Sequence, residues 1–183
     1  NMLQKLVLKP KDHIKLFNYS KKKGIEFLST AFDEQSLKML LKLGIKRIKI
    51  PSGEINNRQL LNLAGKQKVP IILSTGMSYL NEVSEALEVI TKSGTPKSKI
   101  TVLHCTSEYP TRFQDVNLLA MNFMKKKLNV SIGYSDHTLG SEVSIAAVTF
   151  GAEIIEKHFT ISRKLIGPDH KSSLEPNELK NFV

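Results

Sequence analysis

VSIGYSDHT, residues 130–138, is an apolar run that ends on an acid and an imidazole, and EIIEKHFT, residues 153–160, repeats the pattern. Their histidines, His137 and His158, stand 21 positions apart. A strand that buries Val130 and Ile132 gains nothing by carrying Asp136 and His137 into a core, because buried polar groups cost free energy unless they are partnered. Their place is the end of a strand, where loops carry chemistry.

Four further runs share the form: GIEFLST (24–30), RIKIPS (47–52), VPIILST (69–75) and ITVLHCT (100–106). Helical patterns lie between them. DEQSLKMLLKLG has Asp33 as N-cap, Leu37, Leu40 and Leu41 on one face, and Gly44 as the stop. NEVSEALEVITKSG repeats this with Val83, Leu87 and Ile90 and ends at Gly94, while KDHIKLFNYSKKKG reads as a helix ahead of the first run. SEVSIAAVTFG is shorter and more apolar, which predicts a largely buried crossover helix. Strand followed by helix, repeated through the chain, means a parallel α/β fold.

Two architectures fit that order: an open doubly wound sheet, or a (β/α)8 TIM barrel. No glycine-rich dinucleotide fingerprint follows any run, and reactive residues end every run instead of clustering at one switch point, which favours the barrel. About six βα units are then present as a single partial barrel domain over residues 1–183, with the first two strands expected ahead of Asn1.

Composition is that of a globular domain without an apolar run near the roughly 18 residues a membrane span needs. The single cysteine, Cys105, excludes an internal disulfide and fits a reducing, cytoplasmic location. The net charge is +10. Its densest clusters, Lys21–Lys23 and Lys125–Lys127, close helical patterns, where cations complement the helix dipole. No aromatic residues interleave them as a nucleic-acid stacking platform requires, so neither nucleic acid nor membrane is an expected partner; the remaining reading of the charge is an anionic small substrate.

The run ends share small hydroxyls: Ser29–Thr30, Ser52, Ser74–Thr75, Thr106–Ser107 and Ser135. Gathered at one mouth they would cradle a phosphate; the alternative is that each caps the helix after it. Lys49 alternates with Ile48 and Ile50, so its ammonium points to the opposite face, into an interior where only an anion would stabilise it. His137 and His158 on neighbouring strands, with Asp136, Glu156 and Asp169 close in sequence, point to a shared metal ion. His104 and Cys105 lie on alternate faces, one of them inward; His170 falls on a loop beyond the last run, and His13 on a surface helix.

The blocks KIPSGEINN, IILSTGM, LHCTSEYPT, IGYSDHTLG, IIEKHFT and GPDHKSSLEPNEL, in this order, resemble the sialic acid synthase (N-acetylneuraminate synthase) family, from about Gly24 to the end of the chain. That resemblance implies a (β/α)8 barrel that condenses phosphoenolpyruvate with an N-acetylated hexose to a nine-carbon 2-keto acid and phosphate, using manganese or magnesium. It implies a homodimer in which a C-terminal antifreeze-like domain, absent from this sequence, reaches over the partner's barrel. Carried over by position, His137 and His158 hold the metal. Lys49, Thr30, Ser52, Ser74 and Ser135 hold the phosphate and carboxylate. Glu54, Tyr109 and Asp169 hold the sugar, and Lys49, Glu54 and Asp169 form the catalytic set. Ser107 falls at a substrate-binding position where some members carry Asn. The family's catalytic glutamate and a second substrate lysine belong to strands outside this sequence. Rival readings are another phosphoenolpyruvate-condensing keto-acid synthase, an inactive fragment of such an enzyme, and, weakest, a basic nucleic-acid binder.

Overall fold

In each apolar run every second side chain faces the same way, so two faces are written into the sequence before any strand pairs. The computed structural model describes residues 6–183, and within them five parallel strands pair in the order β1-β2-β3-β4-β5. They are β1 (Ile48–Ile50), β2 (Ile71–Ser74), β3 (Ile100–Cys105), β4 (Ser131–Asp136) and β5 (Ile155–Lys157). The register aligns Ile48 with Ile71, Ile71 with Ile100, Val102 with Ile132, and Tyr134 with Ile155. These residues, with Ile50 and Leu73, form the face that packs against the helices. Burying such a side chain contributes about 1.5–3 kcal/mol each, which makes this face the main source of stability.

The helices that cover it are α1 (Pro10–Lys23), α2 (Glu34–Leu43), α3 (Arg58–Lys66), α4 (Leu80–Ser93), α5 (Leu119–Leu128), α6 (Glu142–Thr149) and α7 (Pro176–Phe182). Helix α2 starts and stops where its sequence says. Asp33 accepts a hydrogen bond from the Ser36 amide at 2.7 Å, Gly44 closes it at φ +97°, and Leu37 and Leu40 are buried. Helix α3 is capped by Asn57, whose side-chain oxygen accepts from the Leu60 amide at 3.1 Å. In α4, Glu82 reaches back to the Tyr79 amide at 2.7 Å, and Val83, Leu87 and Ile90 are buried as the spacing predicts. The lysine triplets do fall in the last turns of α1 and α5.

Two expectations are corrected. GIEFLST forms no strand. No ladder bond joins the segment to β1 among the described residues, and Ile25 is exposed. Alternation gives a run the shape of a strand, but a strand also needs a neighbour's amides and carbonyls. What holds the segment beside β1 is an ion pair, Glu26 with Arg47 Nε at 2.7 Å, together with Phe27 packed on the core. Helix α6 is not largely buried either. Val143, Ser144 and Ala147 face inward, whereas Ile145 and Val148, with Phe150 just beyond, lie exposed. A sequence this apolar has no polar face to mark its outer side, so burial is decided by what the fold places over it.

Candidate active site

The strand face opposite the helices carries Lys49, Ser74, Cys105, Ser135 and Glu156 near the C-terminal ends. Ser135 pairs in register with Cys105 on one side and Glu156 on the other. Lys49 Nζ lies 2.9 Å from one carboxylate oxygen of Glu156 and 3.2 Å from the other. In a flat sheet β1 and β5 would stand about 19 Å apart, four spacings of about 4.8 Å, further than the two side chains reach together. Their contact shows that the five strands curl into the wall of a barrel. The anion that satisfies the inward ammonium is thus Glu156, to which the sequence reading gave no role of its own. Burial pushes the Glu156 carboxyl up, but Lys49, the Ser135 hydroxyl and His137 outweigh this and hold it below the usual carboxylate range.

His137 follows the last residue of β4, and His158 the last residue of β5, so neighbouring parallel strands deliver both rings to one rim. Their centroids are 5.4 Å apart. His137 is buried, and its Nδ1 lies 2.6 Å from the Thr106 carbonyl, which only accepts, so Nδ1 carries the proton. Desolvation lowers the His137 pKa, and His158 adds to this against the pull of the Thr106 carbonyl and of Glu156. The ring is therefore neutral, with its Nε2 lone pair on the side of the Ser135 hydroxyl, 3.2 Å away. A ring oriented by a carbonyl at its other nitrogen is the usual state of a metal-ligating histidine. Tyr109 lies over the His137 ring at 4.2 Å and edge-on to His158 at 5.4 Å.

The two imidazoles fit a divalent cation as nitrogen donors that leave its other positions to water or substrate oxygen. Among the described residues no group of three or more His, Cys, Asp or Glu is arranged to hold one. Asp136, counted in sequence as support for the metal, faces away from the rim. It is fully buried, and its carboxylate takes Lys157 Nζ at 2.8 Å, the Thr138 amide and hydroxyl, and the Ser144 hydroxyl at 2.6 Å.

The strand-end hydroxyls do not cap the following helices. That work falls to Asp33, Asn57 and Glu82, while Thr75 donates to the Leu103 carbonyl at 3.0 Å and Ser135 to Glu156 at 2.8 Å. Ser74 Oγ is buried and has no hydrogen-bond partner among the described residues. Beyond it Gly76 takes φ +51°, and a Cβ there would lie 2.5 Å from Ser52 Cβ, 2.8 Å from Ser52 Oγ and 3.1 Å from Ser107 Oγ. Glycine at this turn lets the side chains of Ser52 and Ser107 approach the backbone, where a Cβ would collide with them. Cys105 lines the same face and accepts from the Gly76 amide at 3.1 Å; burial pushes its thiol pKa up, which keeps it neutral.

Other expected residues are less closely joined. Asp169 is near enough to help raise the Tyr109 phenol, after burial and Cys105. His170 holds the Thr160 hydroxyl at 2.7 Å, fixing the loop beyond β5. Glu54 is engaged locally, accepting from Asn57 Nδ2 at 2.8 Å. Thr30 lines a separate cleft with Phe32 and Asp33. His104 points to the helix side, tilted against Tyr134 at 5.6 Å, leaving Cys105 as the inward member of that pair. Glu156 was legible in one respect: alternation in EIIEKHFT puts it on the face that leads to His158.

A protein-family model described as the NeuB family matches residues 1–183. The chain is 52% identical to N,N'-diacetyllegionaminic acid synthase of Campylobacter jejuni, over 98% of this chain and 54% of that protein. It is 47% identical to the enzyme of the same name from Legionella pneumophila, over 100% and 52%. N-acetylneuraminate-9-phosphate synthase of Drosophila melanogaster is 40% identical over 92% and 45%. The chain thus spans about half the length of the curated relatives it matches. A crystal structure of N-acetylneuraminic acid synthetase from Leptospira borgpetersenii, in complex with citrate, superposes with a TM-score of 0.93 at 39% identity, covering 100% of this chain and 63% of that one. A DAHP synthase from Thermotoga maritima, at 24% identity and a TM-score of 0.82, shares the fold. With a curled parallel sheet that bears two rim histidines, and a family model matching along its whole length, this chain belongs to the NeuB family.

Proposed function

We propose that the full-length protein condenses phosphoenolpyruvate with an N-acetylated hexose to give a nine-carbon 2-keto sugar acid and phosphate. The observation that carries this reading is one strand face and its rim, which hold an inward lysine, a buried serine hydroxyl without a partner among the described residues, and two imidazoles 5.4 Å apart. An anionic substrate supplies the acceptor that Ser74 lacks, and Lys49 with Ser52, Ser107 and Ser135 holds its phosphate and carboxylate. His137 and His158 would hold the divalent cation, manganese or magnesium, which supplies Lewis acidity toward the sugar aldehyde. Tyr109, Asp169 and Glu54 orient the sugar from the loops above.

Attack by the C2=C3 electron pair of the enol phosphate, through C3, on the aldehyde carbon forms the new C–C bond and leaves C2 electron-deficient and the aldehyde oxygen as an alkoxide. Water then adds at C2 and its released proton neutralises the alkoxide; the C2–O bond to phosphate breaks as the C2 carbonyl forms, and the proton lost from the C2 hydroxyl leaves with the phosphate. Lys49 stabilises the departing charge, and holding both substrates at one rim supplies orientation. Higher identity to the two diacetyllegionaminic acid synthases than to the neuraminate-type relative favours an acceptor bearing two N-acetyl groups.

The test is phosphate release from phosphoenolpyruvate by the full-length protein, against acetamido sugars including N-acetylmannosamine and a 6-deoxy diacetamido hexose, with and without chelator. Release that requires both an acetamido sugar and a divalent metal is expected, and is lost in His137→Ala or His158→Ala. Release with a sugar phosphate that lacks any acetamido group, and none with the panel, overturns the assignment.

A further inference from the structure

Each rim histidine is preceded by one member of a buried ion pair. Asp136 precedes His137, Lys157 precedes His158, and the two are register partners on β4 and β5 with side chains 0% and 4% exposed. Lys157 Nζ makes two contacts, 2.8 Å to Asp136 Oδ2 and 2.6 Å to the Thr138 carbonyl. One ammonium, itself next to His158, thus grips the residues on both sides of His137. Asp136 is held in turn by the Thr138 amide and hydroxyl and by Ser144 on α6, so no lone pair is idle.

A stability role alone accounts poorly for this arrangement. Replacing a buried ion pair by well-packed apolar side chains is often neutral or stabilising, so charge here calls for a job that apolar packing does not do. Apolar contacts are non-directional and tolerate small slides of one strand along another. A lysine with two fixed acceptors does not, and the quantity it fixes is the offset between residues 137 and 158. Upstream of the two rings, ladder bonds from Tyr134 N to Ile154 O and from Glu153 N to Ile132 O, and the Ser135 hydroxyl on Glu156, also join the segments; at the rim itself His137 is held by Thr106, Thr111 and Ser135, and the His158 backbone by Leu174.

We infer that Asp136 and Lys157 are positioning residues that set the spacing of the two imidazoles from the helix side of the sheet, and so set the affinity of the pair for a divalent cation. The inference rests on the reading of His137 and His158 as metal donors. Altering a group that orients metal ligands typically weakens metal binding roughly 10–100-fold. Removing only one charge leaves the other buried and uncompensated, so the decisive variant is the double one, Asp136→Asn with Lys157→Met.

The experiment titrates the metal-free full-length protein with manganese(II), read by the electron paramagnetic resonance signal of the free ion, with thermal melting of each variant alongside. We expect the double variant to melt cooperatively and to bind manganese at least about tenfold more weakly, while Lys157→Arg keeps most of the affinity. A folded double variant that binds manganese within twofold of the unaltered protein overturns the inference. His137→Ala/His158→Ala separates the two readings. If the unaltered protein binds no more manganese than this control, the metal reading itself fails and the inference falls with it; if only the control loses binding, the metal reading stands and the positioning role does not.

Discussion

Ser74 shows what single residues reveal. A buried hydroxyl without a partner costs about 1–3 kcal/mol in the free protein, and a hydrogen bond to a charged ligand returns about 1.5–3 kcal/mol. Ser74→Ala should therefore move two measurements in opposite directions: the melting temperature holds or rises, while the KM for phosphoenolpyruvate rises about tenfold. A KM that stays put, or a fall in melting temperature, would show that the hydroxyl has no ligand to serve. Residue roles were legible where alternation alone decides them. Lys49 between Ile48 and Ile50 had to face inward, and Ser135, His137 and Glu156 follow from the same rule. The partner of Lys49 was not legible, because Glu156 lies 107 positions away and only the curl of the sheet brings it near. For Asp136 the rule was available: one residue from His137 means the opposite face, and its partner there is Lys157.

Among the elements, helices were read most accurately because caps are local. Asp33 and Gly44 mark α2 without reference to anything distant. The GIEFLST segment and α6 were misread for the complementary reason, since a ladder partner and a covering surface are tertiary facts. The β4–β5 contact contains a feature that a sequence shows only as a gap. Gly133 lies between the residues whose ladder bonds join the two segments, Glu153 N to Ile132 O and Tyr134 N to Ile154 O, both 2.8 Å. A Cβ at Gly133 would lie 2.6 Å from the Ile154 carbonyl oxygen and 2.5 Å from Leu103 Cδ2. Leu103 can swing aside, but the carbonyl belongs to the backbone and moves only with the strand. Gly133→Ala is expected to cost about 1–3 kcal/mol by overpacking, measured by urea denaturation. A change below about 0.5 kcal/mol, the range of an ordinary surface substitution, would mean that the strands separate freely at this point.

At the scale of the molecule, the curl demonstrated by Lys49 and Glu156 is what turns five of the six rhyming runs into one rim, and the barrel was legible because every run ended in reactive residues. No helix among the described residues is long and apolar enough to cross a membrane. The positive balance of +10 has a bearing on how copies of this 183-residue polypeptide meet. Among the described residues no strand pairs with the outer side of β1, and the segment tied to Arg47 there leaves Ile25 and, just beyond it, Phe32 exposed, an apolar flank open to another copy. Like charge keeps such copies apart only over the screening distance, which shrinks from about 10 Å in 0.1 M salt to about 3 Å in 1 M. Adding sodium chloride to the isolated polypeptide should therefore make its solutions turbid, with light scattering climbing as salt rises; scattering that stays flat would mean the bare flank is harmless. Salt, ordinarily added to keep a basic protein dispersed, would here be the reagent that makes it clump.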